Sequence, residues 1–205
     1  MSEVRIFAMP DPALPALHGD GLDAKRADMQ ANHSSYGYEY IPDFQSIDNL
    51  IQRVRAILAA QQGCLRLLEI DAHGNPLLCD GLGVADAAHF GAQLKTLNLC
   101  DLVEVYLNGC NTGVQYHGTP SLAQRVSQNG PTQANDHVRC IVYGAVGYLS
   151  GSHAQGNARC SVDARTGTGK KKRYWDPYPP SGNQPGSQAG TGTGAYRAFI
   201  EGVVQ

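Results

Sequence analysis

At 205 residues the chain has the length of one domain with a substantial core and falls short of two. A hydrophobic content of 42% describes a soluble globular protein, and a formal net charge of −2 excludes a general pull toward nucleic acid or an anionic membrane. The opening MSEVRIFAMPDPALP is broken by charge and proline, so it reads as neither a signal peptide nor a membrane span, and no later stretch stays apolar long enough to cross a bilayer.

Val4–Met9 alternates and reads as a first strand, ended by Pro10. Residues 10–35 are rich in Pro, Asp and Gly and read as a loop with a short helix at 22–31. Tyr38–Ile41 is a second short strand. Ser46 then stands as an N-cap, and Ile47, Leu50, Ile51, Val54, Ile57 and Leu58 follow at helical spacing to Gln62, with Gly63 as the C-terminal residue. Leu65–Ala72 is apolar on both faces, as a central parallel strand must be. Asn75–Gly83 reads as a turn or small hairpin. Val84–Leu97 is a helix capped near Asp86, with Phe90, Leu94 and Leu97 inward.

Leu102–Leu107 is the third core strand, Asn108–Gly113 a tight loop, Ser121–Asn129 a short helix and Val138–Leu149 a fourth core strand. Residues 151–194 are loaded with Gly, Thr, Ser and Pro and read as surface loops or a disordered tail. Ala195–Val204 is apolar enough to dock back as a closing helix or strand. The alternation predicts a single α/β domain over 1–205, its core at about 38–153, with a mainly parallel sheet and no internal repeat.

Two of these strands stop on reactive side chains, His73 and Cys110, 37 positions apart (110 − 73). A right-handed crossover puts the carboxyl ends of parallel neighbours on one edge of a sheet, where ligands of open α/β sheets collect. Adjacent tips would hold the two groups about 5–7 Å apart. A histidine lowers the pKa of a neighbouring thiol and returns the proton to a leaving amine. Gly74, Gly109 and Gly113 flank the pair and admit a substrate carbonyl close to the backbone. The amides of Cys110 and Gly74 are candidate oxyanion donors. A lone strand-end cysteine is usually packing and a lone His-Gly usually a turn; it is their joint placement that points to a dyad.

The order Asp71-Ala72-His73-Gly74, a helix, then Asn108-Gly109-Cys110-Asn111-Thr112-Gly113 resembles the caspase-like clan of cysteine peptidases. Its texture is similar to CHAT domains and to the autoprocessing domains of large bacterial toxins. Tyr143–Ser150 is similar to the strand lining the caspase substrate groove. The likeness spans roughly residues 38–153. It implies a caspase-like three-layer α/β/α sandwich and a cysteine endopeptidase without a cofactor, acting on a protein or peptide. Cys110 is the implied nucleophile, His73 the base and acid, and Gly74 an aid to the oxyanion. Tyr148, Ser150, Ser152 and His153 fall along the implied groove and its rim.

Asp71 has two readings, facing the groove or bonding a backbone amide. Metacaspases carry an acid two residues before the nucleophile, where this chain has Asn108, and caspases follow the groove strand with a cation, where it has Ser150-Gly151-Ser152. Neither a basic nor an acidic P1 preference follows, and an uncharged or small P1 residue remains.

Other signals are weaker. Thr166–Lys170 evokes a P-loop, but Ala164 and Lys171 stand where Gly and Ser or Thr are needed, and GTGTG at 190–194 lacks a strand-turn-helix setting. No G-x-S-x-G occurs. Lys170–Arg173, followed by Tyr174 and Trp175, reads as a solvated loop, with two further roles open: a seat for an anionic activator such as an inositol polyphosphate, or a cleavable linker. His89 lies on a helix, and His18, His33, His117 and His137 lie in loops. No C-x-x-C or H-x-x-x-H pair offers a metal site. Cys64, Cys100, Cys110 and Cys140 lie in or beside core strands, so with Cys79 and Cys160 they are expected reduced and the compartment cytoplasmic, delivery into another cell as an effector being the variant of that expectation. The alternatives to a free endopeptidase are a self-cleaving domain under an anionic ligand and a non-catalytic interaction module.

Overall fold

A computed structural model describes residues 2–14, 22–75, 77–109, 112–116, 118–145, 148–151, 175–178 and 196–205; for Ala24, Asn75, 148–151 and 175–178 the description is of the backbone. Seven strands make the main sheet: β1 Ser2–Pro10, β2 Glu39–Phe44, β3 Gly63–Asp71, β7 Leu99–Asn108, β8 Arg139–Ala145, β11 Tyr196–Ile200 and β12 Val203–Val204. Their spatial order is β12-β11-β8-β7-β3-β1-β2. The five strands from β2 to β8 are parallel, and β11 and β12 close the edge antiparallel. The expected mainly parallel α/β sandwich is what forms.

Residue parity divides the two faces, because successive side chains of a strand point oppositely. Leu68 and Ile70 of β3, Ile6 and Ala8 of β1, and Val103, Val105 and Leu107 of β7 join one core with three helices: α2 Ile47–Gln61, α3 Ala87–Leu94 and α4 Leu122–Asn129. Phe7 and Met9 of β1, Leu67 of β3 and Tyr106 of β7 join a second cluster with Met29 of α1, Asp23–Asn32. The sheet is therefore the middle of three layers. The helix predicted at 22–31 is α1, and it is anchored: the Arg26 guanidinium donates to the carbonyls of Pro10 and Pro42, drawing it over the carboxyl ends of β1 and β2.

Several boundaries move for identifiable reasons. Ser46 caps α2 as expected, accepting from the Asn49 amide at 3.2 Å, but the left-handed residue at the other end is Gln62 (φ 49°). Gly63 instead opens β3, where a Cβ would lie 2.5 Å from Val4 Cγ2. The predicted helix over 84–97 begins as a single 3-10 turn, Val84–Asp86, whose Asp86 carboxylate accepts from the Gly83 amide at 3.1 Å. A four-residue helix, α5 Gln133–Asp136, precedes β8 and was not anticipated. Asn75–Gly83 becomes a meander of three two-residue strands, β4 Gly74–Asn75, β5 Leu78–Cys79 and β6 Leu82–Gly83.

The single strand expected over Val138–Leu149 divides. β8 stops at Ala145, and β9 Tyr148–Gly151 leaves the sheet to pair antiparallel with β10 Trp175–Tyr178. A strand thus lies inside a stretch expected to be irregular. In the closing segment, Tyr196–Ile200 and Val203–Val204 are strands, not a helix.

The expectation of six reduced cysteines is overturned. β7 starts three residues earlier than predicted, and the register that sets Leu65 opposite Leu99 brings Cys64 and Cys100 to a Cα separation of 5.0 Å, where they form a disulfide. Cys79 and Cys140 are both buried. The cysteine argument for a reducing compartment loses its premise.

Candidate active site

β3 and β7 are hydrogen-bonded neighbours in register, with Ile70 opposite Leu107 and Asp71 opposite Asn108. His73 follows Asp71 by two residues, just as position 110 follows Asn108 by two. Beyond the last paired residues the chains close in further. A Cβ built on Gly74 would lie 2.7 Å from Gly109 Cα and 2.9 Å from Leu78 O. One on Gly109 would lie 3.0 Å from Gly74 Cα and 3.2 Å from Cys79 Sγ. The residue after His73 and the residue before Cys110 are thus in backbone contact, which only glycine on both sides permits.

The meander holds the His73 side of this joint. Gly74 pairs with Cys79, and the Asp80 amide donates to the His73 carbonyl at 2.9 Å, so the chain folds back under the tip. The His73 side chain is half-buried. On the β7 side the organiser is Thr112, which the sequence reading passed over. Fully buried, its hydroxyl donates to the Leu107 carbonyl at 2.7 Å, with the Gly109 carbonyl at 3.1 Å, and accepts from the Ala145 amide at 3.0 Å. Gly113 then packs on Gly144, where a Cβ would meet Gly144 O at 2.4 Å, and donates its amide to Ala145 O at 2.9 Å. The Asn108–Gly113 loop is clamped at both ends. The run of glycines around a small hydroxyl residue was the available signal.

Asp71 and Asn108, expected along a substrate groove, are each 1% exposed and turned into the layer beneath α1. The Asp71 carboxylate is ion-paired with Lys25 of α1, which answers neither reading made of it from sequence. The Asn108 amide donates to Glu69 Oε1 at 2.6 Å and its oxygen accepts from the Tyr196 hydroxyl at 2.6 Å. Glu69 also accepts from the Tyr38 hydroxyl at 3.0 Å. The correction has a simple cause: an odd-numbered parity on β3 and the matching face of β7 place these groups toward α1, where each finds a protein partner. Asn108 is buried, with its amide nitrogen and its oxygen each bonded within the protein.

Of the remaining site residues, Cys110, Ser152 and His153 lie outside the described residues, as does the proposed activator seat Lys170–Arg173. Tyr148 and Ser150 belong to β9, where Tyr148 pairs with Tyr178 and Ser150 with Asp176.

No family model and no curated protein matches this chain. Among solved structures it is similar to gingipain R, an Arg-specific cysteine proteinase, at 16% identity and a TM-score of 0.41, over 71% of this chain and 31% of that one. The chain thus spans about a third of that protein's length.

Proposed function

We propose that the chain is a caspase-like cysteine endopeptidase, with Cys110 the nucleophile and His73 the base and acid. The observation that supports this is the joint at the strand tips. In-register pairing to Asp71 and Asn108, continued by the Gly74–Gly109 contact, brings the backbone beside His73 against the backbone that leads into Cys110. A nucleophile and its base must lie within hydrogen-bond reach before either pKa matters.

In this reading His73 takes the Cys110 thiol proton, and the thiolate attacks the scissile carbonyl carbon. The oxyanion that forms is held by main-chain amides, Gly74 and Cys110 being the candidates. Collapse breaks the C–N bond, the amine leaves with the proton from the His73 imidazolium, and a thioester remains. Water, deprotonated by His73, hydrolyses it and restores the thiol. With Asn108 and Asp71 both engaged, the P1 residue the site takes is uncharged or small.

Iodoacetamide at mildly acidic pH tests the dyad. Cys110 is expected to alkylate far faster than Cys140, and His73→Ala to erase the difference; equal rates in the parent protein would refute the reading. Casein digestion abolished by Cys110→Ala supports turnover. An inert parent that nonetheless binds a partner would favour the interaction module, and a chain that shortens only with inositol hexakisphosphate would favour self-cleavage.

A further inference from the structure

The hydrogen bonds around Asn108 cross the molecule at the level of the tips. They run from Tyr38 beside β2, through Glu69 of β3 and Asn108 of β7, to Tyr196 of β11. Tyr196 is not a neighbour of Asn108 in the sheet, because β8 lies between them. It pairs with Ala145, the last residue of β8, and a methyl there leaves room for the phenol to reach over the strand. The Tyr196 ring stands edge-on to Tyr106 with centroids 5.3 Å apart, so its direction is set by packing as well as by the hydroxyl.

We propose that Tyr196 is a positioning residue for the nucleophile loop. Building on the peptidase reading above, its hydroxyl acts through Asn108 on the end of β7, from which Gly109 and Cys110 continue. The Asn108 side chain is gripped from both directions, by the Glu69 carboxylate at its nitrogen and the phenol at its oxygen. Those two bonds remove the freedom of the last paired residue to rotate. Releasing one lets the following peptide shift, and displacements on the order of 1 Å in such sites cost about 100-fold in rate. The residue comes from the far end of the chain, 86 positions after Cys110 (196 − 110), so the closing strand is part of the catalytic support and not merely an edge cover.

Tyr196→Phe keeps the ring against Tyr106 and removes only the donor. The readouts are the pH profile of Cys110 alkylation by iodoacetamide and the hydrolysis of fluorescein-labelled casein. The expected result is a profile displaced about one pH unit upward, toward an ordinary thiol, and kcat lowered about tenfold with KM within twofold. Tyr36→Phe, which loses a hydroxyl bonded to Asp28 on α1 at 2.9 Å, is expected to change neither. A merely structural role for Tyr196 would lower the melting temperature and leave the profile in place. If Tyr196→Phe does not fold, Glu69→Gln weakens the opposite grip on the same amide and is read by the same two outcomes. A folded variant whose profile superimposes on the parent's, with Cys110→Ala inactive, overturns this inference alone. Casein hydrolysis that survives Cys110→Ala overturns the peptidase reading and this inference with it.

Discussion

Gly74 and Gly109 meet so closely that a methyl on the first would sit 2.7 Å from the Cα of the second. No side chain mediates the contact, so the spacing of the two strand tips is set by main chain alone.

Gly74→Ala is accordingly expected to force the tips apart. The clashing atoms, Gly109 Cα and C and Leu78 O, are all backbone and have no rotamer to yield. Overpacking of this kind costs about 1–3 kcal/mol. Urea unfolding should show that loss, and the Cys110 alkylation rate at mildly acidic pH should fall toward that of an ordinary thiol. Retention of both would mean the joint is looser than its geometry.

Thr112→Val removes a hydroxyl while keeping the shape. The Ala145 amide then loses its acceptor in a buried setting, at a cost of about 1–3 kcal/mol. Thr112→Ser should retain most of the stability, since it preserves the bonds to Leu107 O and Ala145 N. Thermal melts of the two variants side by side make the comparison.

Lys25→Met leaves the Asp71 carboxylate buried without its ion pair, and removing one partner of such a pair costs about 3–5 kcal/mol. The double variant Lys25→Met with Asp71→Leu is expected to recover much of that loss. A single variant as stable as the parent would show that the pair contributes nothing.

The Cys64–Cys100 disulfide joins the starts of β3 and β7, at the opposite end of the strands from His73. For a separation of 36 residues, the chain-entropy estimate for its removal is about 4 kcal/mol. Oxidised protein should be 2 Da lighter than reduced, by the two hydrogens lost, and should unfold at higher urea. Identical urea midpoints with and without reductant would contradict the bridge.

Burial pushes the Cys140 thiol from 9.0 up to about 12. A raised folded-state value keeps the proton on in the native protein after the unfolded chain has released its own. The corresponding stability is therefore complete below about pH 9 and is lost as pH rises toward 12. Cys140→Ala or Cys140→Val should flatten the alkaline limb of a stability-pH curve. Cys140 should also stay unlabelled by iodoacetamide at neutral pH while the protein is folded.

The sequence by itself determined the layered α/β class, the central position of Leu65–Ala72, the helix beginning at Ser46 and the helix over 22–31. Each of these is written in periodicity, capping or turn chemistry, which act over a few neighbouring residues. It also marked the two strand ends, because a reactive residue beside glycine at the end of an apolar run is a local pattern. Only the tertiary structure decided that Asp71 pairs with Lys25, that Asn108 lies between Glu69 and Tyr196, and that Cys64 meets Cys100. Those partners are 36 to 88 residues apart (Cys64 and Cys100, Asn108 and Tyr196), and what brings them together is sheet order and register. A shift of one residue along a strand turns every side chain to the other face, so the direction a polar group takes is settled when the strands pair and not before.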